Sequence, residues 1–292
     1  MRLDDFDPNS VNVEDQRGGG GFSMGGTGGK IGCGSIVIAL IGALIFGISP
    51  SDTLGTLQNM GGGSSTTTAA APGGNSATTS CNVDALSHES CNTLSSLNKT
   101  WAPLFAQAKI PFTAPKLVFY SQTGQSGCGS AQSAMGPFYC PNDQGIYLDT
   151  EFYQQMDQQL GATGQFARDY VIAHEYGHHI QKLLGVSDQV RSAQGQDPRQ
   201  ANQLSVRLEL QADCYAGVWA AKNRDRIQQG DIESGLNAAH QIGDDVLMRS
   251  AGRNPNEASF THGSSAQRMQ WLRKGIDSGN EDACDTFADL RQ

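Results

Sequence analysis

The segment His174–His178, which reads HEYGH, constrains the fold of this chain more than any other feature. Residues four positions apart lie on the same face of an α-helix, so His174 and His178 can bind one metal ion if the segment is helical. Glu175 projects beside that face, where it can contact a water molecule but is poorly aimed as a ligand. The pattern therefore predicts a helix that carries two zinc ligands and a neighbouring carboxylate.

A third zinc ligand is expected downstream, because catalytic zinc usually has three protein ligands and one position open to water. The candidates are His179, Glu209, Asp213, His240 and His262. His179 is five residues from His174, a spacing that turns it away from the site. Glu209 and Asp213 are four residues apart in a largely apolar helical segment and share a face. They could act as a ligand and as the partner of a ligand histidine.

The C-terminal part of the chain predicts a few strands followed by helices. Strands are expected over residues 116–121 and 145–149, and 131–140 could form a third strand. Helices are expected over residues 84–108, 152–160, 165–184, 202–223, 231–250 and 264–278. This order predicts an α+β domain, in which a small β-sheet precedes a helical half that contains the HEYGH helix.

The N-terminal part has a different composition. Residues 1–30 are polar and glycine-rich and predict a disordered tail. Residues 31–48 form an uncharged apolar run that is long enough for one transmembrane helix. A cleaved signal peptide fits less well, because the run starts late and follows an acidic tail. Residues 49–80 are rich in Ser, Thr, Ala and Gly and predict a flexible linker, which leaves 81–292 as the folded domain.

The distribution of basic residues predicts the orientation of this span. Arg2, Arg17 and Lys30 precede the apolar run, and no Lys or Arg follows it until Lys99. The positive-inside rule places the N-terminus in the cytoplasm and the folded domain outside it. We therefore expect a single-pass inner-membrane protein with a periplasmic or extracytoplasmic domain, and a lipid bilayer as a partner of residues 31–48.

Seven cysteines are present, and six of them lie in the predicted folded domain. Cys81 with Cys91, and Cys128 with Cys140, are close in sequence in loop-like surroundings, which predicts two disulfides in an oxidising compartment. Cys214 and Cys284 remain as a possible third pair. Scattered free thiols are the alternative, and a zinc site of four cysteines is disfavoured because no C-x-x-C occurs.

Two motifs together carry a resemblance to known peptidases. HEYGH followed some thirty residues later by Glu209-x-x-Ala212-Asp213 resembles the gluzincins. The chain is similar, more closely, to the bacterial family described as putative neutral zinc metallopeptidases, through HEYGHHIQ, ELQADCYAG, ESGLNAAHQIGDD and THGSSAQR. The resemblance covers roughly residue 81 to the C-terminus, and in the family it often extends to the glycine-rich tail and the apolar span as well. It implies a zincin-like fold, one Zn²⁺ per chain, Glu209 as the third ligand and Asp213 as the partner of a ligand histidine.

A second resemblance concerns the segment that begins Thr261-His262-Gly263 and reaches Arg268. It is similar to a segment of the integral-membrane CAAX proteases, which have proline where this chain has Gly263. In those enzymes the histidine and arginine lie near the metal and stabilise the reaction intermediate. The similarity implies catalytic roles for His262 and Arg268. A loop or N-cap position before the last helix is the alternative for His262.

These features together predict hydrolysis of peptide bonds in a polypeptide substrate, with a zinc-activated water and Glu175 as general base. The formal net charge of −9 argues against a nucleic-acid partner, which would need a basic surface. One alternative is a non-catalytic zincin-fold protein that binds a partner or assists envelope assembly. Another is a purely structural zinc site, closed by His262 as a fourth protein ligand.

Overall fold

The computed structural model describes residues 1–17 and 76–291. The predicted span over residues 31–48, and all of the predicted linker up to residue 75, lie outside the described residues. Within the described ranges, no helix is both long enough and apolar enough to cross a membrane.

Six strands form one main sheet and one hairpin. The strands are β1 (Asn12–Asp15), β2 (Lys116–Phe119), β3 (Thr123–Ser126), β4 (Gly129–Gln132), β5 (Phe138–Cys140) and β6 (Gly145–Leu148). The main sheet has the order β1-β2-β6-β5, in which β1, β2 and β6 are parallel and β5 pairs antiparallel with β6. Strands β3 and β4 pair with each other as a separate two-stranded hairpin. The central strands β2 and β6 are almost fully buried, as expected for strands covered on both faces.

Nine α-helices lie within the described residues, and most of them follow the sheet. They are α1 (Ala77–Cys81), α2 (Ala85–Ala108), α3 (Glu151–Gln155), α4 (Gln165–Leu183), α5 (Val186–Gln196), α6 (Ala201–Lys222), α7 (Asp231–Gln241), α8 (Asp244–Ser250) and α9 (Ser265–Ser278). This arrangement confirms the predicted α+β class. The bounds of α2, α4, α6 and α9 agree with the predictions to within one residue, and α2 and α9 each begin at a side-chain cap, Asp84 and Ser264.

Three predicted elements are divided in the structure. The helix predicted over residues 231–250 breaks between α7 and α8 at Gly243, where a Cβ would lie 2.3 Å from the backbone nitrogen of Ser265. The possible strand over 131–140 is the end of β4, a 3₁₀ turn and β5. The helix predicted over 152–160 begins as α3 and continues as a π-helical turn, Met156–Leu160.

The prediction of a disordered tail is wrong for residues 1–17. Strand β1 pairs with β2, and Lys116 on β2 forms an ion pair of 2.8 Å with Glu14. Upstream of β1, Phe6 and Val11 are buried in the main core. The segment is too short to bury a core of its own, but a sheet edge supplied by distant residues stabilises it.

Helices α4, α6 and α9 pack closely because glycines lie at their contacts. A Cβ on Gly177 of α4 would lie 2.8 Å from the Cα of Ala212 on α6. A Cβ on Gly275 of α9 would lie 2.0 Å from the carbonyl oxygen of Cys214 on α6. Any side chain at these positions would force the helices apart. The close packing brings the HEYGH motif, the acidic pair on α6 and the start of α9 together.

Three disulfides confirm the predicted pairing. Cys81–Cys91 joins α1 to α2, Cys128–Cys140 joins the β3–β4 turn to β5, and Cys214–Cys284 joins α6 to the C-terminal segment. The last bridge closes the longest loop, with a sequence separation of 70. It ties the chain end to the helix that carries the acidic pair.

Candidate metal centre

His174, His178 and Glu209 converge at one point between α4 and α6. Their candidate ligand atoms all lie within 4.8 Å of one another. The His174 Nε2 is 3.0 Å from one carboxylate oxygen of Glu209, and the His178 Nε2 is 3.4 Å from the other. Ligand atoms about 2.0–2.1 Å from a tetrahedral zinc ion are separated by roughly 3.3 Å. The three donors therefore fit zinc, and they are the only such group among the described residues.

The Nδ1 atom of each ligand histidine faces an acceptor. His174 Nδ1 lies 2.8 Å from Asp213 Oδ1, and His178 Nδ1 lies 2.9 Å from the amide oxygen of Gln181. An acceptor at Nδ1 keeps the proton there and leaves the lone pair of Nε2 for the metal. Gln181 is held in turn by the carbonyl oxygen of Leu208, to which its amide nitrogen donates.

Asp213 is the centre of a fully buried network of charges. Its Oδ1 accepts hydrogen bonds from Tyr170 and from Arg268 Nη2, and its Oδ2 accepts from Arg268 Nε. Burial alone would raise the pKa of Asp213, but Arg268 and His174 lower it to about 2. The carboxylate is therefore ionised at any physiological pH and can hold His174 in one orientation.

Glu175 lies next to the ligands and is mostly buried, with 9% of its surface exposed. No hydrogen bond to its carboxylate occurs within the part of the chain that the structure describes. Burial raises the pKa of Glu175, although His174 and His178 oppose that shift. A carboxylate that is not engaged by the protein and binds protons more readily than usual is suited to take a proton from water.

His262 lies on the turn between α8 and α9, close to the ligand group. Its side chain is 31% exposed, and its charge is near enough to Glu209 to lower the pKa of that carboxyl. Burial is the largest influence on Glu209 and would raise its pKa, but His178 and His262 shift it well below the usual value. This electrostatic influence on Glu209 puts His262 in the neighbourhood of the ligand group.

The structure separates the remaining candidates from the ligand group. His179 is completely buried, and its ring contacts the carbonyl oxygen of Thr113 and the hydroxyl of Tyr139. His240 is outside the ligand group as well. Arg268 is 3% exposed and is bound to Asp213, so it acts on the site through Asp213 and His174. That position differs from the one expected for direct stabilisation of an intermediate.

Sequence reasoning did not find two residues that support the ligands. Tyr170 lies four residues before His174, and Gln181 lies three residues after His178. Both spacings place the side chain beside a histidine on the same helix, so helical periodicity could have indicated them. Their hydrogen-bond partners come partly from α6 and α9, which no local pattern identifies.

Gly263 lies at the position where the CAAX proteases have proline. Gly263 has a φ angle of +94°, and its N–H donates to Asp244 at 3.1 Å. Proline fixes φ near −65° and has no N–H, so it could not adopt this conformation. The turn that presents His262 is therefore built differently from the one that the second resemblance implied.

Comparison with known proteins identifies one family. The family profile that matches residues 4–287 is described as "Putative neutral zinc metallopeptidase". No solved structure matches the chain.

Two relatives illustrate how far the similarity extends. An Escherichia coli K12 protein described as "Uncharacterized protein YpfJ" is 42% identical, over 95% of this chain and 96% of its own length. An uncharacterized protein of Mycobacterium bovis is 41% identical, over 66% of this chain and 68% of its own length. The match to the first relative includes the N-terminal region as well as the metal centre.

Proposed function

The chain belongs to the family of putative neutral zinc metallopeptidases, and from this membership we propose that it is a zinc-dependent peptidase that hydrolyses peptide bonds in polypeptides. The observation that carries the proposal is the convergence of His174, His178 and Glu209 beside a carboxylate, Glu175, that has no hydrogen bond from any residue in the described ranges. Three ligands leave one coordination position for water, as in catalytic zinc sites.

His174, His178 and Glu209 would hold the zinc ion. When bound, zinc supplies Lewis acidity that makes water a stronger acid and polarises a carbonyl group. Glu175 accepts the proton of the attacking water and delivers it to the leaving amine. Burial lowers the pKa of His262, but Glu209 and Asp244 raise it above its usual value overall, which favours the imidazolium form. In that form Nε2–H can donate to the oxygen that becomes negative during attack.

The test compares the wild-type full-length chain with Glu175→Gln, using zinc content and cleavage of a broad peptide library. We expect one zinc per chain in both proteins, and a kcat reduced about 10²- to 10⁴-fold in the variant, the usual range for a general base. Glu257→Gln is the matched control, because Glu257 is exposed and distant in sequence from the motif. A zinc-loaded wild-type protein that cleaves nothing would refute the peptidase and favour the binding or envelope-assembly protein.

The ligand assignment has its own test. Glu209→Ala should remove zinc, because two histidines alone bind it weakly and the third donor is lost. Zinc content is measured after dialysis against a weak chelator, with Glu257→Gln again as control. Full zinc occupancy in Glu209→Ala would show that another residue is the third ligand.

We also propose that the domain works outside the cytoplasm and that residues 31–48 attach the protein to a lipid bilayer. Three disulfides support an oxidising compartment. The uncharged apolar run over residues 31–48 supports membrane attachment.

A further inference from the structure

Asp244, the first residue of α8, organises the turn that carries His262. It is 3% exposed, and its Oδ2 accepts hydrogen bonds from the backbone N–H groups of Thr261, His262 and Gly263 at 2.8, 2.8 and 3.1 Å. Its own N–H donates to the carbonyl oxygen of Gly263 at 2.9 Å. One buried side chain therefore fixes the backbone of three consecutive residues.

The second oxygen of Asp244 reaches the imidazole itself. Oδ1 lies 3.3 Å from His262 Nδ1, and the hydroxyl of Thr261 lies 2.9 Å from the same nitrogen. An ionised carboxylate can only accept hydrogen bonds, so it favours a proton on Nδ1. Nε2 has no hydrogen-bond partner within the described part of the chain and is left for a bound molecule.

We propose that Asp244 is a positioning residue for the peptidase reaction: it sets the orientation and the Nδ1 proton of His262, and acts on the substrate only through that ring. This inference rests on the proposed function for its kinetic consequence. Its structural part, the protonated Nδ1 held by Asp244, does not depend on any reaction.

Asp245 provides a matched control in the same turn. Its carboxylate accepts from the backbone N–H and the hydroxyl of Ser265 at 2.6 and 3.0 Å, and pairs with Arg249 at 2.9 Å. No hydrogen bond or ion pair joins Asp245 to His262 among the described residues. Asp245→Asn therefore disturbs the turn without touching the imidazole.

The kinetic test is a double-mutant cycle with Asp244→Asn and His262→Ala in the full-length chain. Removing one donor to a developing oxyanion lowers kcat about 10²- to 10³-fold. We expect Asp244→Asn to lose at least tenfold in kcat, with KM and zinc content unchanged, and to have no further effect in the His262→Ala background. Asp245→Asn should change kcat less than threefold. An equal loss from Asp244→Asn in both backgrounds would overturn the positioning role.

A second readout keeps the proposal testable if the protein cleaves no peptide. Imidazole ¹⁵N NMR of the zinc-loaded chain, with the His262 signals assigned by their loss in His262→Ala, reports which ring nitrogen is protonated. We expect both ring nitrogens to be protonated at neutral pH in wild type and in Asp245→Asn, and a neutral ring, which carries one proton, in Asp244→Asn. A protonation state of His262 that is unchanged by Asp244→Asn, in a variant that unfolds at the wild-type temperature, would refute the inference whatever the reaction.

An independent observation bears on membrane topology. Residues 12–15 pair with β2 inside the same sheet, and Asn98 on α2 donates from its amide nitrogen to the carbonyl oxygen of Ser10. Arg17 contacts the hydroxyl of Ser87 and the carbonyl oxygen of Ser80. Residues 1–17 are therefore part of the domain that holds the metal centre.

We infer that residues 1–17 and 76–291 lie on the same side of the membrane. A single crossing between residue 17 and residue 76 would place β1 and β2 on opposite sides and would break the sheet. Two crossings need about 40 apolar residues, and residues 18–75 contain only one apolar run, 31–48. This inference replaces the expectation that residues 31–48 cross the membrane once and leave the N-terminus in the cytoplasm. Residues 31–48 would instead attach to the bilayer from the side on which the domain lies.

The test labels single cysteines with a membrane-impermeant maleimide, on a Cys33→Ser background, in intact and in lysed cells. Asn9 and Asp277 are both exposed and serve as the two reporter positions. We expect Asn9→Cys and Asp277→Cys to behave alike: either both are labelled in intact cells, or both are labelled only after lysis. Labelling of Asp277→Cys alone in intact cells would overturn the inference.

Discussion

Two buried carboxylates in the helical half have opposite properties. Asp169 on α4 and Asp213 on α6 are 1% and 0% exposed. Asp213 has four hydrogen bonds, two of them from Arg268, and a pKa of about 2. Asp169 accepts one from the hydroxyl of Thr93, and its Oδ2 has no partner in the described residues. Burial, reinforced by Glu89, raises the pKa of Asp169 to about 8.

The difference shows that burial does not by itself mark the functional carboxylate. Burial favours the neutral form of both groups, and the buried guanidinium of Arg268, together with His174, keeps Asp213 ionised. An ionised Asp213 can accept a hydrogen bond from the N–H at His174 Nδ1. Asp169 lies about a turn and a half before His174 on α4, and it is protonated at neutral pH. The presence of Arg268 therefore explains why Asp213 is ionised and can support the candidate metal centre, whereas Asp169 is a neutral buried group.

The largest expected effect comes from Arg268→Met, which would make the surroundings of Asp213 resemble those of Asp169. Removing one partner of a buried ion pair costs about 3–5 kcal/mol, because the other charge is left uncompensated. We expect a loss of this size in the free energy of unfolding, measured by urea titration. Arg199→Met, at an exposed arginine, is the control. A loss below 1 kcal/mol would mean that Asp213 does not depend on Arg268.

Asp213→Asn tests the other half of the pair. An amide cannot hold the His174 proton as a carboxylate does, and loss of such a partner typically lowers metal affinity 10- to 100-fold. We expect this decrease in zinc affinity by competition with a chelator, with Asp188→Asn as the exposed control. Unchanged affinity would contradict the role of Asp213 in orienting His174.

Asp169→Asn should stabilise the domain, whereas Arg268→Met should destabilise it. The folded-state pKa of about 8 lies above the ordinary value of 3.8, so the contribution of Asp169 to stability is full below pH 4 and is lost as the pH rises to about 8. The amide of asparagine does not titrate, so the variant does not lose this stability as the pH rises. Since one pKa unit corresponds to about 1.4 kcal/mol, we expect a stabilisation of several kcal/mol at pH 8 and little at pH 4, measured by thermal unfolding. A gain that is equal at both pH values would exclude titration of Asp169 as the cause.

The smallest effect is expected at the N-terminal strand. Glu14 and Lys116 are both partly exposed, and surface ion pairs contribute about 0–1 kcal/mol. Glu14→Gln should therefore destabilise the domain by less than 1 kcal/mol, since the backbone pairing of β1 with β2 remains. A loss comparable to that of Arg268→Met would show that the ion pair, and not the strand pairing, holds residues 1–17.

Much of the candidate metal centre could be predicted because its spacing is local. His174 with His178, and Glu209 with Asp213, are four residues apart, and that interval places each pair on one helix face whatever the tertiary structure. The family resemblance then joined the two helices. Helix bounds were predictable for the same reason, as at α2, whose N-cap Asp84 accepts from the N–H of Ser87.

Features that depend on distant partners could not be predicted. Strand β1 needs the edge of β2, which lies a hundred residues away in the sequence. The break at Gly243 needs the backbone of Ser265, and the role of Asp244 needs the turn of Thr261–Gly263. In each case the sequence shows an acceptable local pattern, and the deciding contact comes from another element.

The sequence alone determined which atoms could bind zinc, because helical periodicity fixes the relative directions of side chains one turn apart. The tertiary structure alone decided which charged groups lie next to those atoms and therefore how they are protonated and oriented. Gly177 and Gly275 let three helices approach until backbone meets backbone, and this approach places Arg268 against Asp213 and Asp213 against His174. The charge of a buried carboxylate depends on such neighbours, and no pattern along one helix records them.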